Sequence, residues 1–181
     1  MRIDVRELKR QPLDLELQEP VASFPALAAL QDGGQVRFLS PVRARLQLSR
    51  CAELIEVTGQ LQLEVEQDCS RCLAPCRQQL NVRFHQAFAE QLPEVACDGD
   101  EEDGLTADDM GLELYDGETI DVAGEIEQQL LLAMPPYPLC SEQCQGLCPQ
   151  CGIDRNRERC DCALPPARLS FAALKDFKVE K

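Results

Sequence analysis

No tryptophan occurs in the 181 residues, and the aromatic complement is six Phe and two Tyr. A core of this composition has to be built mainly from Leu, Val and Ala. Histidine occurs once, at His85, so a Cys–His nucleophilic pair has only one possible base. That residue stands beside Phe84 in an alternating stretch that reads as a strand, where a lone histidine is more often structural than catalytic. Glycine-rich phosphate loops and the nucleophile elbow are missing. The carboxylates crowd into a stretch with nothing to hold them in register. Neither an enzyme nor a small-molecule substrate is expected.

Long apolar runs are also missing. The run "LLLAM" at 130–134 is far short of the roughly 20 residues that a spanning helix needs. The opening "MRIDVRELKRQPLDLEL" alternates charged and aliphatic residues and does not read as a signal peptide. The expected compartment is the cytoplasm, with no membrane partner. Positive charge is absent over one long stretch: from Phe84 to Asp154 there is no Lys or Arg against 17 Asp and Glu. With a net charge of −14 overall, this span is a directional field that repels phosphate and attracts basic partners. Its center, "DGDEEDGLTADD", fails as a calcium loop: counting from Asp98, the sixth position is Asp103 instead of Gly and the twelfth is Asp109 instead of Glu.

What is present begins with patterning. Residues 1–34 form an N-terminal segment with alternating "IDV" and "LDLEL", then "FPALAALQDGG", a short helix stopped by Gly33 and Gly34. Residues 35–92 have period two: Val36, Phe38, Val42, Leu46 and Leu48, then Leu61, Leu63 and Val65 after a break at Gly59, then Leu80, Val82 and Phe84. This predicts an antiparallel meander with one buried face, with Pro41 at a bulge or an edge. Residues 93–119 lose periodicity and read as a mobile acidic loop. Residues 120–138 read as a helix capped by Asp121, with Val122, Ile126, Leu130 and Ala133 on one face and a stop at Pro135 and Pro136.

The remaining segment, 139–181, holds six of the eleven cysteines within "LCSEQCQGLCPQCGIDRNRERCDC" and a terminal "ARLSFAALKDFK" that reads as a helix. An odd cysteine count in a reducing compartment points to metal before disulfides. "CPQCG" is a tight turn that aims Cys148 and Cys151 at one ion, and Cys160 and Cys162 follow after a loop with one large apolar residue. That loop cannot build a core, whereas a structural zinc stabilizes small peptides by roughly 10–16 kcal/mol, against about 2–4 kcal/mol for a disulfide. Zn2+ bound by Cys148, Cys151, Cys160 and Cys162 is the expected first site. Cys69 and Cys72 of "CSRCLAPC", with Cys140 and Cys144, make a possible second. In a rival single site, Cys140 or Cys144 replaces Cys160 or Cys162. Cys51, Cys76 and Cys97 have no spacing argument, and Cys76 is the best spare ligand.

The order "CSRCLAP", an acidic gap, "IDVAGEIEQQLLLAMPPYPLCSEQCQGLCPQCG", "CDC" and "ARLSFAALKDF" closely resembles the YceD family of large ribosomal RNA subunit accumulation proteins, from about residue 35 onward. The matching positions are Cys69, Cys72, Cys140, Cys144, Gly146, Leu147, Cys148, Cys151, Gly152, Cys160 and Cys162. The stretch "IDRNRERC" is more charged than the usual family segment. The resemblance implies a non-enzymatic role in ribosome biogenesis, supporting synthesis, processing or accumulation of large-subunit (23S) ribosomal RNA.

The expected fold is α+β: an antiparallel meander or partly open barrel, a few helices and a C-terminal cysteine-rich zinc knuckle. The expected role is a two-faced adaptor. Arg155, Arg157, Arg159, Arg168, Lys175 and Lys178 would face phosphates of the large-subunit RNA precursor, while the acidic span engages a basic ribosomal or assembly protein. Two other functions compete. One is a thiol and zinc redox sensor or chaperone, with Arg71 or Arg159 activating an adjacent cysteine. The other is a protein-only interaction module for a basic partner.

Overall fold

Alternation of aliphatic and polar residues over 42–88 is realized as three long strands that place one residue set inward and the other outward. In the computed structural model, which describes residues 1–8, 11–91 and 111–162, the chain runs β1 (Arg2–Asp4), a 3-10 turn, β2 (Leu13–Glu19), a second 3-10 turn, α1 (Pro25–Asp32), β3 (Arg37–Phe38), β4 (Val42–Cys51), β5 (Leu54–Asp68), β6 (Pro75–Ala89), β7 (Leu112–Leu114), β8 (Thr119–Asp121) and α2 (Val122–Ala133). The fold is α+β. The main sheet has the order β2-β4-β5-β6-β7, with β3 also pairing β5, and β1 pairs β8 separately. All pairings are antiparallel except β6 with β7. The sheet is open, with β2 and β7 at opposite ends. Barrel closure is absent among the described residues.

Three further differences from the sequence-based expectation have local causes. The N-terminal segment belongs to the sheet: β2 pairs with β4 from Leu13 opposite Leu48 to Glu19 opposite Val42. The expected acidic loop contains structure at its end, because Leu112–Leu114 adds to β6 and Thr119–Asp121 pairs with β1. Residues 93–110 of that segment lie outside the described residues, as does the expected terminal helix. Gly59 does not break the meander. It pairs with Phe84 inside a continuous β5, and the Phe84 ring occupies the space that a Cβ at Gly59 would need. A strand glycine is covered here by a cross-strand aromatic.

One face of the sheet carries the core. Val42, Ala44, Leu46, Leu48, Ile55, Val57, Leu61, Leu63, Val65, Leu80, Phe84 and Phe88 are buried, with Leu27 of α1 and Val122, Ile126 and Leu130 of α2 in the same cluster. Burial of each such large side chain contributes about 1.5–3 kcal/mol. Helix α2 lies against β6 and β1, and α1 packs on α2. Asp121 caps α2 by accepting from the N–H groups of Ala123 and Gly124, and Pro135 and Pro136 follow its last turn. Phe24 offers no capping side chain to α1; instead Glu127 of α2 accepts from the N–H groups of Ala26 and Leu27. That carboxylate also sits favorably at the positive end of α1.

Gly59→Ala is expected to lower stability by about 1–3 kcal/mol through overpacking. Part should be recovered in Gly59→Ala/Phe84→Leu, where the ring is gone. Urea unfolding of the single and double variants measures both effects. An unchanged Gly59→Ala would contradict the close packing of the Phe84 ring on Gly59.

Candidate metal centers

The β5–β6 turn is the first half of one cysteine cluster. Cys69 directly follows β5, its N–H bonding to the Ala74 carbonyl at 2.9 Å while its own carbonyl accepts from Leu73 N–H at 2.9 Å. Leu73 takes a positive φ of 59° to close this turn. The second half arrives from α2. Because the prolines end the helix, Pro138 can present its carbonyl to Ser70 N–H at 2.8 Å. The Arg71 guanidinium donates to the Cys144 carbonyl at 2.9 Å, and Leu147 N–H donates to the Arg71 carbonyl at 3.1 Å. Gly146 makes this approach possible: its φ is +72° and a Cβ there would stand 3.0 Å from the Arg71 carbonyl oxygen.

These interactions bring Cys69, Cys72, Cys140 and Cys144 together, with their sulfurs within 4.8 Å of one another. Cys69 Sγ lies 3.8 Å from Cys144 Sγ, and Cys72 Sγ lies 3.6 Å from Cys140 Sγ. A zinc–sulfur bond of about 2.3 Å gives a regular tetrahedron edges of about 3.8 Å, so the spacing fits a four-thiolate metal site. Cys69, Cys72 and Cys144 are buried, and Ala74, Leu139 and Leu147 pack against the cluster. All ten described cysteines are free thiols.

Cys148, Cys151, Cys160 and Cys162 form a second group, their sulfurs also within 4.8 Å of one another. Cys148 N–H bonds to the Ile153 carbonyl at 2.8 Å and Gly152 N–H to the Cys148 carbonyl at 2.9 Å, with Gly152 at φ +75°. Leu147 bridges to Asp154, and Arg155 N–H donates to the Gly146 carbonyl at 3.0 Å. Each group can hold one metal ion. Cys140 and Cys144 thus sit with the hairpin cysteines and do not stand in for Cys160 or Cys162.

The groups are joined by a residue that spacing did not point to. Asn156 donates from Nδ2 to Cys144 Sγ at 3.4 Å and accepts Gln145 N–H at 2.8 Å. Its own position is held by Asp154 Oδ1, which accepts from Asn156 N–H at 3.0 Å and Nδ2 at 2.7 Å. The local signal was an Asp-x-Asn turn, but its target eleven to twelve residues back is a tertiary fact. Pro138 was missed for the same reason, and Arg71 was expected only as an activator of an adjacent cysteine, not as a contact to Cys144 and Leu147.

The thiols do not ionize alike. Hydrogen bonding from the Cys140 backbone, with further help from Arg71 and Cys72, draws Cys69 down to about 6 against burial. The Cys151 and Gln150 backbones do the same for Cys148, also to about 6. The neighboring thiols Cys144 and Cys72 push Cys140 up to about 12, and Cys151 together with burial pushes Cys162 up to about 12. Cys72 and Cys160 are also raised. Four thiolates cannot share so small a volume without a cation, which is the chemistry of a metal ligand set.

Other expected residues are placed less centrally. Cys76 is buried, donates to the Gln67 carbonyl at 3.1 Å and is raised by burial, but stays outside both groups. Cys51 is exposed, as is His85 on the outward face of β6. Arg155, Arg157 and Arg159 are exposed, and Arg157 pairs with Asp154 at 3.6 Å. Cys97, Arg168, Lys175 and Lys178 lie outside the described residues.

An α+β fold whose helix-to-hairpin junction and following loop are each gathered by four cysteines defines a cysteine-braced protein. The model of the family described as large ribosomal RNA subunit accumulation protein YceD matches residues 57–178. The chain belongs to the YceD family. Proteins of Mycobacterium bovis and Mycobacterium tuberculosis, both described as uncharacterized, are each 33% identical over 158 residues, covering 84% of this chain and 70% of their own. The large ribosomal RNA subunit accumulation protein YceD of Haemophilus influenzae is 29% identical over 94 residues, 51% of this chain and 50% of its own. No solved structure matches the chain.

Zinc uptake by the metal-free chain at pH 7 is expected to release at least two protons per group, from Cys72 and Cys140 and from Cys160 and Cys162. Those thiols are protonated at neutral pH, so acidification opposes binding, by about a hundredfold per pH unit for two protons. Calorimetry in two buffers of different ionization enthalpy counts the protons, and a count near zero would contradict the raised thiols. Asn156→Ala is expected to weaken zinc at the Cys69 group by about 10–100-fold. Asn156→Asp should weaken it as well, since it keeps the acceptor and loses the donor. Chelator competition measures both, and unchanged affinity would remove Asn156 from the site.

Proposed function

We propose that the chain is a non-enzymatic ribosome biogenesis factor that supports synthesis, processing or accumulation of 23S ribosomal RNA in the cytoplasm. It acts as an adaptor braced by two zinc ions. The observation that carries the reading is the pairing of YceD family membership with two groups of four thiols at metal-site spacing. In this reading Cys69, Cys72, Cys140 and Cys144 hold one zinc, and Cys148, Cys151, Cys160 and Cys162 hold the other as a C-terminal knuckle. When bound, the zinc supplies charge compensation and cross-linking, not reaction chemistry. The protein's residues shape the ligand sets through Gly146, Arg71 and Asn156.

The adaptor has two charges to offer. Arg155 and Arg159, with Arg157 partly neutralized by Asp154 and with Arg168, Lys175 and Lys178 beyond, face RNA phosphates. The acidic side, from β7 through α2, engages a basic ribosomal or assembly protein. The redox-sensor alternative is disfavored by burial. The two thiols held lowest, Cys69 and Cys148, are 0% and 4% exposed, whereas reactive cysteines need access.

Cells in which the only copy is Cys72→Ser/Cys144→Ser are expected to lose large-subunit ribosomal RNA relative to small-subunit RNA. The ratio is read by RNA sequencing, with protein abundance followed in parallel. An unchanged ratio in cells lacking the protein altogether would overturn the proposal.

A further inference from the structure

The helical layer and β1–β8 lie on the core side of the main sheet, which leaves the opposite face open among the described residues. Strand register fixes what that face displays. Gln18, Arg43, Gln62 and Asn81 form one cross-strand row; Glu16, Arg45, Gln60 and Arg83 form the next; Asp14, Gln47, Thr58 and His85 form a third. All twelve side chains are exposed and none is aliphatic. Two adjoining grooves cross these rows, one of about 720 Å³ bordered by Arg45, Gln47, Thr58 and Arg83, the other of about 590 Å³ bordered by Arg43 and Gln62, with Glu16, Arg45 and Gln60 common to both.

The charges on this face are unequally satisfied. Arg45 Nε meets Glu16 Oε1 at 3.1 Å. Arg43 and Arg83 have no ion-pair partner among the described residues. From strand geometry the three arginine Cα atoms fall within about 12 Å of one another. Clustering three guanidinium groups with one carboxylate partner is unfavorable by itself, and it occurs in a chain of net charge −14. The two carboxylates of these rows, Asp14 and Glu16, stand on the edge strand β2, while Glu64 and Glu56 lie in the flanking rows of β5. Acidic groups therefore frame the arginines and confine the approach of an anion to the groove.

We propose that this sheet face binds a strand of RNA, with Arg43, Arg45 and Arg83 on phosphates and the amide rows on sugars and base edges. The inference rests on the ribosomal RNA reading above and adds a surface to it, separate from the loop arginines. Its partner follows from the amides. Gln60, Gln62 and Asn81 each offer two donors and an acceptor, while Gln47 already donates from Nε2 to Asp14 Oδ1 at 2.9 Å. The carboxylates of an acidic peptide only accept, so such a peptide could meet those amide oxygens with its backbone N–H groups alone. RNA supplies 2′-hydroxyls and base N–H groups as donors alongside its phosphates. The face carries no Phe, Tyr or Trp, so backbone and edge interactions dominate over stacking, and little sequence preference is expected.

The test uses the full, zinc-loaded chain and a fluorescently labeled single-stranded RNA taken from large-subunit ribosomal RNA, read by anisotropy. Arg43→Gln/Arg83→Gln breaks no ion pair among the described residues, and its fold is checked by zinc content and thermal unfolding. The expected result is at least tenfold weaker binding, with the salt dependence of log K shallower by about 0.7 for each phosphate that is no longer neutralized. Parent-like affinity and salt slope in this variant overturn the proposal. So does displacement of the RNA by polyglutamate as effectively as by unlabeled RNA, which would make the face an acidic-peptide site. If the parent chain binds no RNA yet its loss still lowers large-subunit RNA in cells, the sheet proposal falls while the accumulation reading stands.

Discussion

The Cys69, Cys72, Cys140 and Cys144 group is the constraint on which residues 137–162 depend. Beyond Pro136 the described chain contains almost no buried aliphatic surface: the buried positions there are Pro138, Cys144, Gly146 and Cys148. Such a segment cannot offset the roughly 1–2 kcal/mol per residue lost on ordering a backbone. The sulfur group gives it an anchor on the β5–β6 hairpin, the longest pairing in the sheet. The hydrogen bonds from Ser70 to Pro138 and from Leu147 to Arg71 then hold the chain close enough for the second group to form around Cys148. Asn156 returns from the second loop to the first group, so the two centers share a support.

The sheet and helices arrange charge as well as core. The helical side bears the acidic residues of β7, β8 and α2, including the buried Glu125, which bonds to Gln129 at 2.8 Å. There Glu113 is held above the ordinary carboxylate range by burial and by the adjacent Glu125. The opposite face bears arginines and amides. A chain that is strongly acidic overall can still bind a polyanion if its few uncompensated cations share one surface, because fields from charges beyond about 8 Å are screened at physiological ionic strength.

Much of this was legible in the sequence, for identifiable reasons. Period two over β4, β5 and β6 is local, as are the Asp121 cap and the double-proline stop of α2. The grouping of Cys148 with Cys151 follows from turn geometry alone. What was not legible depends on partners distant in the chain. Gly59 looked like a break because the Phe84 ring that covers it is 25 positions away. Leu112–Leu114 is too short to signal a strand, and only its pairing with β6 makes it one. The capping of α1 by Glu127 spans about a hundred residues. Cys69 and Cys72 were expected to pair with Cys140 and Cys144 as a possible site, but the close approach of the Arg71 backbone at Gly146 that seats this group is contained in no spacing rule.

The central claim is that two metal ions replace the core that residues 137–162 lack. Elemental mass spectrometry of protein purified without chelator, alongside Cys69→Ser and Cys160→Ser, tests it most directly. The account predicts two zinc ions per chain in the parent and the loss of one in each variant. A parent chain that carries no metal while remaining folded would contradict it.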